Sequence, residues 1–188
     1  MFGIQELIDV VIMTLALGFI FKDVFVKPSH PYDPLTYYKK KINLENFKFA
    51  IIVTAPAVIL HELAHKFVAM AYGLEATFHA HYFFLGIGIL MKLLNFGFIF
   101  FIPGYVTHSG LATHFQSAAI AVAGPLINLT LWLGSAFILK QKNLKKKYVP
   151  LLFLTKKINM FLFIFNMLPI QPFDGGHFFM NIIQALTY

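Results

Sequence analysis

Two imidazoles and a carboxylate stand within one short run, His61-Glu62-Leu63-Ala64-His65. On a helix, His61 and His65 lie one turn apart on one face, the spacing at which two ring nitrogens can share a Zn²⁺ while Glu62 activates a water. Catalytic zinc keeps three protein ligands and one open position, so the pair needs a third donor. The chain has no cysteine, so that donor must be His, Asp or Glu, and disulfides are excluded. Five residues alone are weak evidence. With 8 His in 188 residues, the pattern would arise by chance in roughly one such chain in a hundred, and its surroundings must decide.

Those surroundings are lipid-like. Residues 47–72 read FKFAIIVTAPAVILHELAHKFVAMAY, which as a helix is ~39 Å long against a hydrocarbon core of ~30 Å. Composition agrees: 59% hydrophobic residues, 12% charged and 23 Phe, with a mean hydropathy of +0.72, describe an integral membrane protein. Upstream, residues 4–26 form an apolar run carrying Glu6 and Asp9. It lacks the basic start and small-residue cleavage site of a signal peptide, so a permanent span is expected. Residues 27–48 form a polar linker with Pro28, Pro31, Pro34 and Lys39-Lys40-Lys41.

Downstream, residues 75–83 read as a strand with His79 and His81 on one side. Residues 84–106 are apolar but broken by Gly86, Gly88, Lys92, Asn95, Gly97 and Pro103-Gly104; they fit one span or a hairpin that enters and returns. A further span covers 115–139, followed by the basic run 140–147. After Lys156-Lys157 the apolar segment 158–168 meets Pro169 and Pro172, which predict a broken helix whose second half Asp174 would N-cap. The expected fold is an all-α integral membrane protein of about four transmembrane helices, with a re-entrant or β-hairpin insertion and a broken final helix. Residues 1–46 would form an N-terminal helix and linker.

Three motifs in order carry a resemblance. HELAH at 61–65, Ala123-Gly124-Pro125-Leu126-Ile127-Asn128, and Asn166-Met167-Leu168-Pro169-Ile170-Gln171-Pro172-Phe173-Asp174-Gly175-Gly176-His177 closely resemble the site-2 protease family of intramembrane zinc metalloproteases. The resemblance covers residues 47–188, which would be the metalloprotease core. It implies a Zn²⁺ held by His61, His65 and Asp174, with Glu62 as general base, and places Asn128 and Asn166 along the substrate cleft. It also implies a transmembrane protein substrate within the lipid bilayer, in regulated intramembrane proteolysis at the cell membrane. Many relatives have Leu where Phe173 stands here, a change without chemical consequence. No PDZ or CBS module is expected.

The residues alone lead to a compatible set. Glu6, Asp9, Asp23, Asp33, Glu45 and Glu75 read as segment-end or linker acids, leaving Glu62 and Asp174 within apolar sequence. A carboxylate at the bilayer centre costs on the order of 2.5–3.5 kcal/mol, so both should be paired or metal-bound. His61 lies ~20 Å of helix beyond Lys48, Asn128 ~18 Å before Lys140, and Asp174 ~16 Å plus a short extended piece beyond Lys157. The motifs therefore meet at one level if these lysines share a membrane face, which favours the hairpin reading of residues 73–114. His177, one turn after Asp174, could hold that carboxylate in orientation. Asn128 and Asn166 are equally readable as interhelical hydrogen-bonding residues.

The chemistry expected is peptide hydrolysis, with strand 75–83 pairing to a locally unwound substrate. The rival is a metal-ion or proton-coupled transporter using the same His, Asp and Glu groups, although no internal repeat accompanies it. The charge of +7 comes from lysines clustered as in cytoplasmic loops. Without Arg, or basic residues interleaved with aromatics, nucleic acid is not an expected partner.

Overall fold

The structure, a computed structural model, describes residues 3–24, 44–96 and 103–187. The three prolines and the lysine triplet of the linker, and residues 97–102, lie outside the described residues. Helix α1 covers Ile4–Phe21 and α2 Leu44–Ala71. Strand β1 (Glu75–Ala80), helix α3 (Tyr82–Leu93) and strand β2 (Gly104–Ser109) make the insertion. Helix α4 spans His114–Leu139. A 3-10 turn at Lys146–Tyr148 leads into α5, Val149–Asn166, and α6 covers Asp174–Thr187. Helices α1, α2, α4 and the segment Lys146–Asn166 are long and apolar enough to cross a membrane. The chain is a multi-pass, mainly helical membrane protein.

Packing follows bilayer rules. Along α1 the apolar Ile4, Leu7, Val11 and Leu15 are exposed, whereas Glu6, Asp9, Met13, Leu17 and Ile20 are buried at helical spacing. Apolar side chains gain nothing from each other that lipid does not offer, so the helices meet through small residues. Ala50, Ala55, Ala57 and Ala69 of α2 are buried, and a Cβ at Gly18 of α1 would stand 2.5 Å from Ile51 Cγ1. Helix α4 opens with a reciprocal cap: Thr113 Oγ1 accepts from Gln116 N, and Gln116 Oε1 from Thr113 N.

The insertion returns to the level it left. Strands β1 and β2 are antiparallel, with Glu75 opposite Ser109 and Ala80 opposite Gly104, so α2 ends and α4 begins beside the same end of the sheet. Helix α3 has 12 residues, ~18 Å of rise, too short to span. Phe78, Ala80 and Leu85 pack with Met13 and Leu17 of α1 and Ala55 and Val58 of α2 into one core.

Two expectations need correction. Lys156-Lys157 do not mark the start of a helix: α5 begins at Val149 with proline in its first turn. A lysine can lay its stem on apolar surface while carrying its amine to water; Lys157 does so beside Phe153, 5.8 Å from the ring centre. Depth measured from Lys157 therefore had the wrong origin. Nor does Asp174 N-cap α6. The carbonyl of Phe173 accepts from Gly176 N at 3.0 Å, and the Asp174 carboxylate turns toward α2. The double glycine that follows is steric: a Cβ at Gly175 would lie 2.5 Å from the Met167 carbonyl carbon, and one at Gly176 2.7 Å from that of Ile170. Residues 167–173 cross directly over the start of α6.

Candidate metal centre

Helix α2 presents His61 and His65 on one buried face, and the start of α6 brings Asp174 to them. Asp174 Oδ2 lies 3.0 Å from His61 Nε2 and 3.4 Å from His65 Nε2. The two Nε2 atoms are 3.1 Å apart. Donors ~2.0–2.1 Å from a tetrahedral zinc ion lie ~3.3 Å from one another, so the three atoms stand at the spacing such an ion requires.

Protonation can be read from the partners. His65 Nδ1 lies 2.7 Å from the carbonyl oxygen of Ile120, which can only accept, so Nδ1 carries a proton and the neutral ring offers a lone pair at Nε2. His61 Nδ1 lies 2.6 Å from Asn128 Oδ1. The amide is oriented by its other end: Asn128 Nδ2 donates to the Ala57 carbonyl at 3.1 Å and to Asn159 Oδ1 at 2.8 Å. Asn159 Nδ2 in turn donates to the Thr155 carbonyl at 2.8 Å. Two backbone carbonyls thus set the direction of the relay, and His61 also presents a bare Nε2.

With both imidazoles neutral, three acceptors face one another. Among the described residues Asp174 Oδ2 is buried without a hydrogen-bond donor, an arrangement that costs on the order of 1–3 kcal/mol unless a cation completes it. These groups could hold a metal ion. Gly124 provides the room: a Cβ there would lie 2.3 Å from His65 Nε2 and 2.7 Å from His61 Nε2. The donor set fits zinc, with two neutral imidazoles fixed from behind and one carboxylate.

Glu62 is buried beside the pair and, with His61, His65 and Asp174, lines a cavity of about 730 Å³. Asn166 and His177 also line it. Asn128, expected along the cleft, is fully buried behind His61. His79 and His81 pack their rings against Tyr105, while His114 Nδ1 is 3.2 Å from Asn181 Oδ1. Sequence reasoning missed Asn159 because the neighbouring lysines made that stretch look like a helix entrance.

Glu6 and Asp9 were also misplaced as segment-end acids. Both are buried in α1: Glu6 pairs with Lys66, while Asp9 accepts from the hydroxyl of Tyr82.

Comparison with known proteins adds a family. The model of peptidase family M50 matches residues 134–188. A protein of Methanocaldococcus jannaschii that bears the name of a zinc metalloprotease is 36% identical over 179 residues, covering 93% of this chain and 83% of the relative. A zinc metalloprotease by name from Synechocystis is 31% identical over 131 residues, 70% of this chain and 30% of that one. A second M. jannaschii zinc metalloprotease is 24% identical over 128 residues, 68% and 32%. The chain thus spans most of the first relative and about a third of the other two. No solved structure matches it. The chain belongs to peptidase family M50, the site-2 protease family of zinc metalloproteases.

Proposed function

We propose that His61, His65 and Asp174 are the protein ligands of a catalytic Zn²⁺, that Glu62 is the general base, and that the chain is an endopeptidase cutting transmembrane segments of membrane proteins at the cell membrane. The observation that carries this is the convergence of Asp174 Oδ2 on the Nε2 atoms of His61 and His65, at 3.0 and 3.4 Å. When bound, zinc would polarise the scissile carbonyl and acidify a water. Glu62, the remaining carboxylate at the cavity, takes the proton of the attacking water and delivers it to the leaving amine. Asn128 holds His61 in the tautomer that offers Nε2. Asn166, on the cavity wall, is placed to hydrogen-bond substrate backbone, and His177 to support Asp174 from the same wall. The family gives no support to the transporter reading.

The substrate must arrive extended, because a helix hides its carbonyls in its own hydrogen bonds. The strand that can receive it is β2 rather than β1. Phe78 and Ala80 of β1 turn their N–H groups away from β2, to Glu6 and Asp9. In an antiparallel ladder their partners Val106 and Gly104 must then also turn outward. Gly104, Val106 and His108, the alternate residues of that outer edge, all line the cavity. A peptide added there would pass beside the metal centre.

The test is cleavage of a synthetic Leu-Ala transmembrane peptide interrupted by Asn-Pro, in detergent. Cleavage that stops with a chelator and returns with zinc is expected. Cleavage that persists in the chelator, or zinc flux into liposomes without any cleavage, would sink the reading.

A further inference from the structure

The N-terminal helix contains two buried carboxylates that hydrolysis does not use. Glu6 and Asp9 lie on one face of α1, 3% and 1% exposed. Glu6 Oε1 accepts from Phe78 N at 2.7 Å, and Asp9 Oδ2 from Ala80 N at 3.2 Å. Those are alternate N–H groups along one edge of β1, the pair that a neighbouring strand would satisfy with two carbonyls. Helix α1 thus supplies with two side chains what an added strand would supply with its backbone. Each acid is itself held. Glu6 pairs with Lys66, the residue after His65, and accepts from Gly3 N at 2.8 Å. Asp9 accepts from the Tyr82 hydroxyl and from Gln5 Nε2.

An exposed strand edge recruits extended chain without regard to which edge it is. We propose that Glu6 and Asp9 are positioning residues that close the β1 edge of the sheet, so that an extended substrate pairs only with β2 and meets the metal centre in one register. This rests on the strand-pairing reading given above. The ion pair with Lys66 adds a second consequence: the capped strand is tied to the helix that carries His61 and His65, which fixes the sheet relative to the cluster.

The experiment measures cleavage of the Leu-Ala peptide interrupted by Asn-Pro, the masses of its products and the zinc content of the enzyme. Asp9→Ala frees Ala80 N–H. Glu6→Leu combined with Lys66→Met frees Phe78 N–H and removes both charges of the pair together, so no lone buried charge remains. Each should keep its zinc, raise KM about tenfold with a smaller change in kcat, and yield products cut at additional, displaced bonds. Asp9→Asn, which retains the accepting oxygen, should restore the single cut. Amide exchange at Phe78 and Ala80 should quicken only in the variants that lose an acceptor. A folded variant that cuts the same single bond with unchanged KM would overturn the proposal, as would one in which kcat and zinc content fall together with KM unchanged. Should Asp9→Ala fail to fold, the double variant carries the same readouts. Failure of the unaltered protein to cut the peptide would count against the protease reading, whereas the amide exchange bears on the acids alone.

Discussion

Two polar centres are buried on neighbouring faces of α2, and they are solved in opposite ways. Around His61, His65 and Asp174 three possible metal ligands converge, and among the described residues Asp174 Oδ2 finds no donor. Around Glu6, Asp9 and Lys66 every acid finds a donor: an ammonium group, two strand N–H groups and a phenol. The adjacent residues His65 and Lys66 belong one to each centre. In a membrane an uncompensated charge is costly, so a self-sufficient cluster is a structural part and an incomplete one calls for a ligand. The difference separates the place where a metal could be held from the place where the fold is already closed.

The contrast breaks most sharply at the ligands. Replacing both His61 and His65 with Ala should take zinc from about one per chain to none and abolish cleavage. Metal analysis checks it, and a double variant that still holds stoichiometric zinc would refute the assignment. Glu62→Gln sharpens the same point: about one zinc should remain while cleavage falls by about 10²–10⁴-fold. If zinc is lost as well, Glu62 is a ligand rather than a base.

The second centre should respond differently. Lys66→Met leaves Glu6 without its counter-charge and should cost about 3–5 kcal/mol of stability with zinc retained, read by thermal unfolding in detergent. Equal loss of zinc in Lys66→Met and in the histidine variant would mean that the two centres form one network. The smallest effect is expected behind the ligands. Asn159→Ala should weaken zinc binding about tenfold, measured by competition with a chelator, and this loss should vanish in an Asn128→Ala background. Additive losses would show that Asn159 does not act through Asn128.

Sequence alone showed much of this molecule, but unevenly. HELAH and the Asp174 segment were legible because the chemistry demands fixed residue types at helical spacing, and the spans because lipid demands long apolar runs. The strand 75–83 was legible for its alternation and ends three residues early, at Ala80. What escaped were residues whose meaning depends on a partner remote in sequence. Glu6 and Asp9 looked like acids at a helix entrance because strand β1, which occupies them, lies beyond a linker and another helix. Asn159 was hidden by the lysines before it. Gly124 stood in a recognised motif, yet only the placement of two imidazole nitrogens against its missing side chain explains why a hydrogen is required there.

Lys157 has a consequence for supply. Its side chain stands exposed on the cavity wall formed by α5, ~12 Å of helix beyond Val149. An ammonium ion is costly against hydrocarbon, and Lys157 meets that cost by carrying its amine to water. Hydrolysis consumes one water for every bond cut, and oil cannot deliver it at the rate a turnover needs. The misplaced lysine sets a water-seeking group on the wall of the cavity that Glu62 and Asp174 also line.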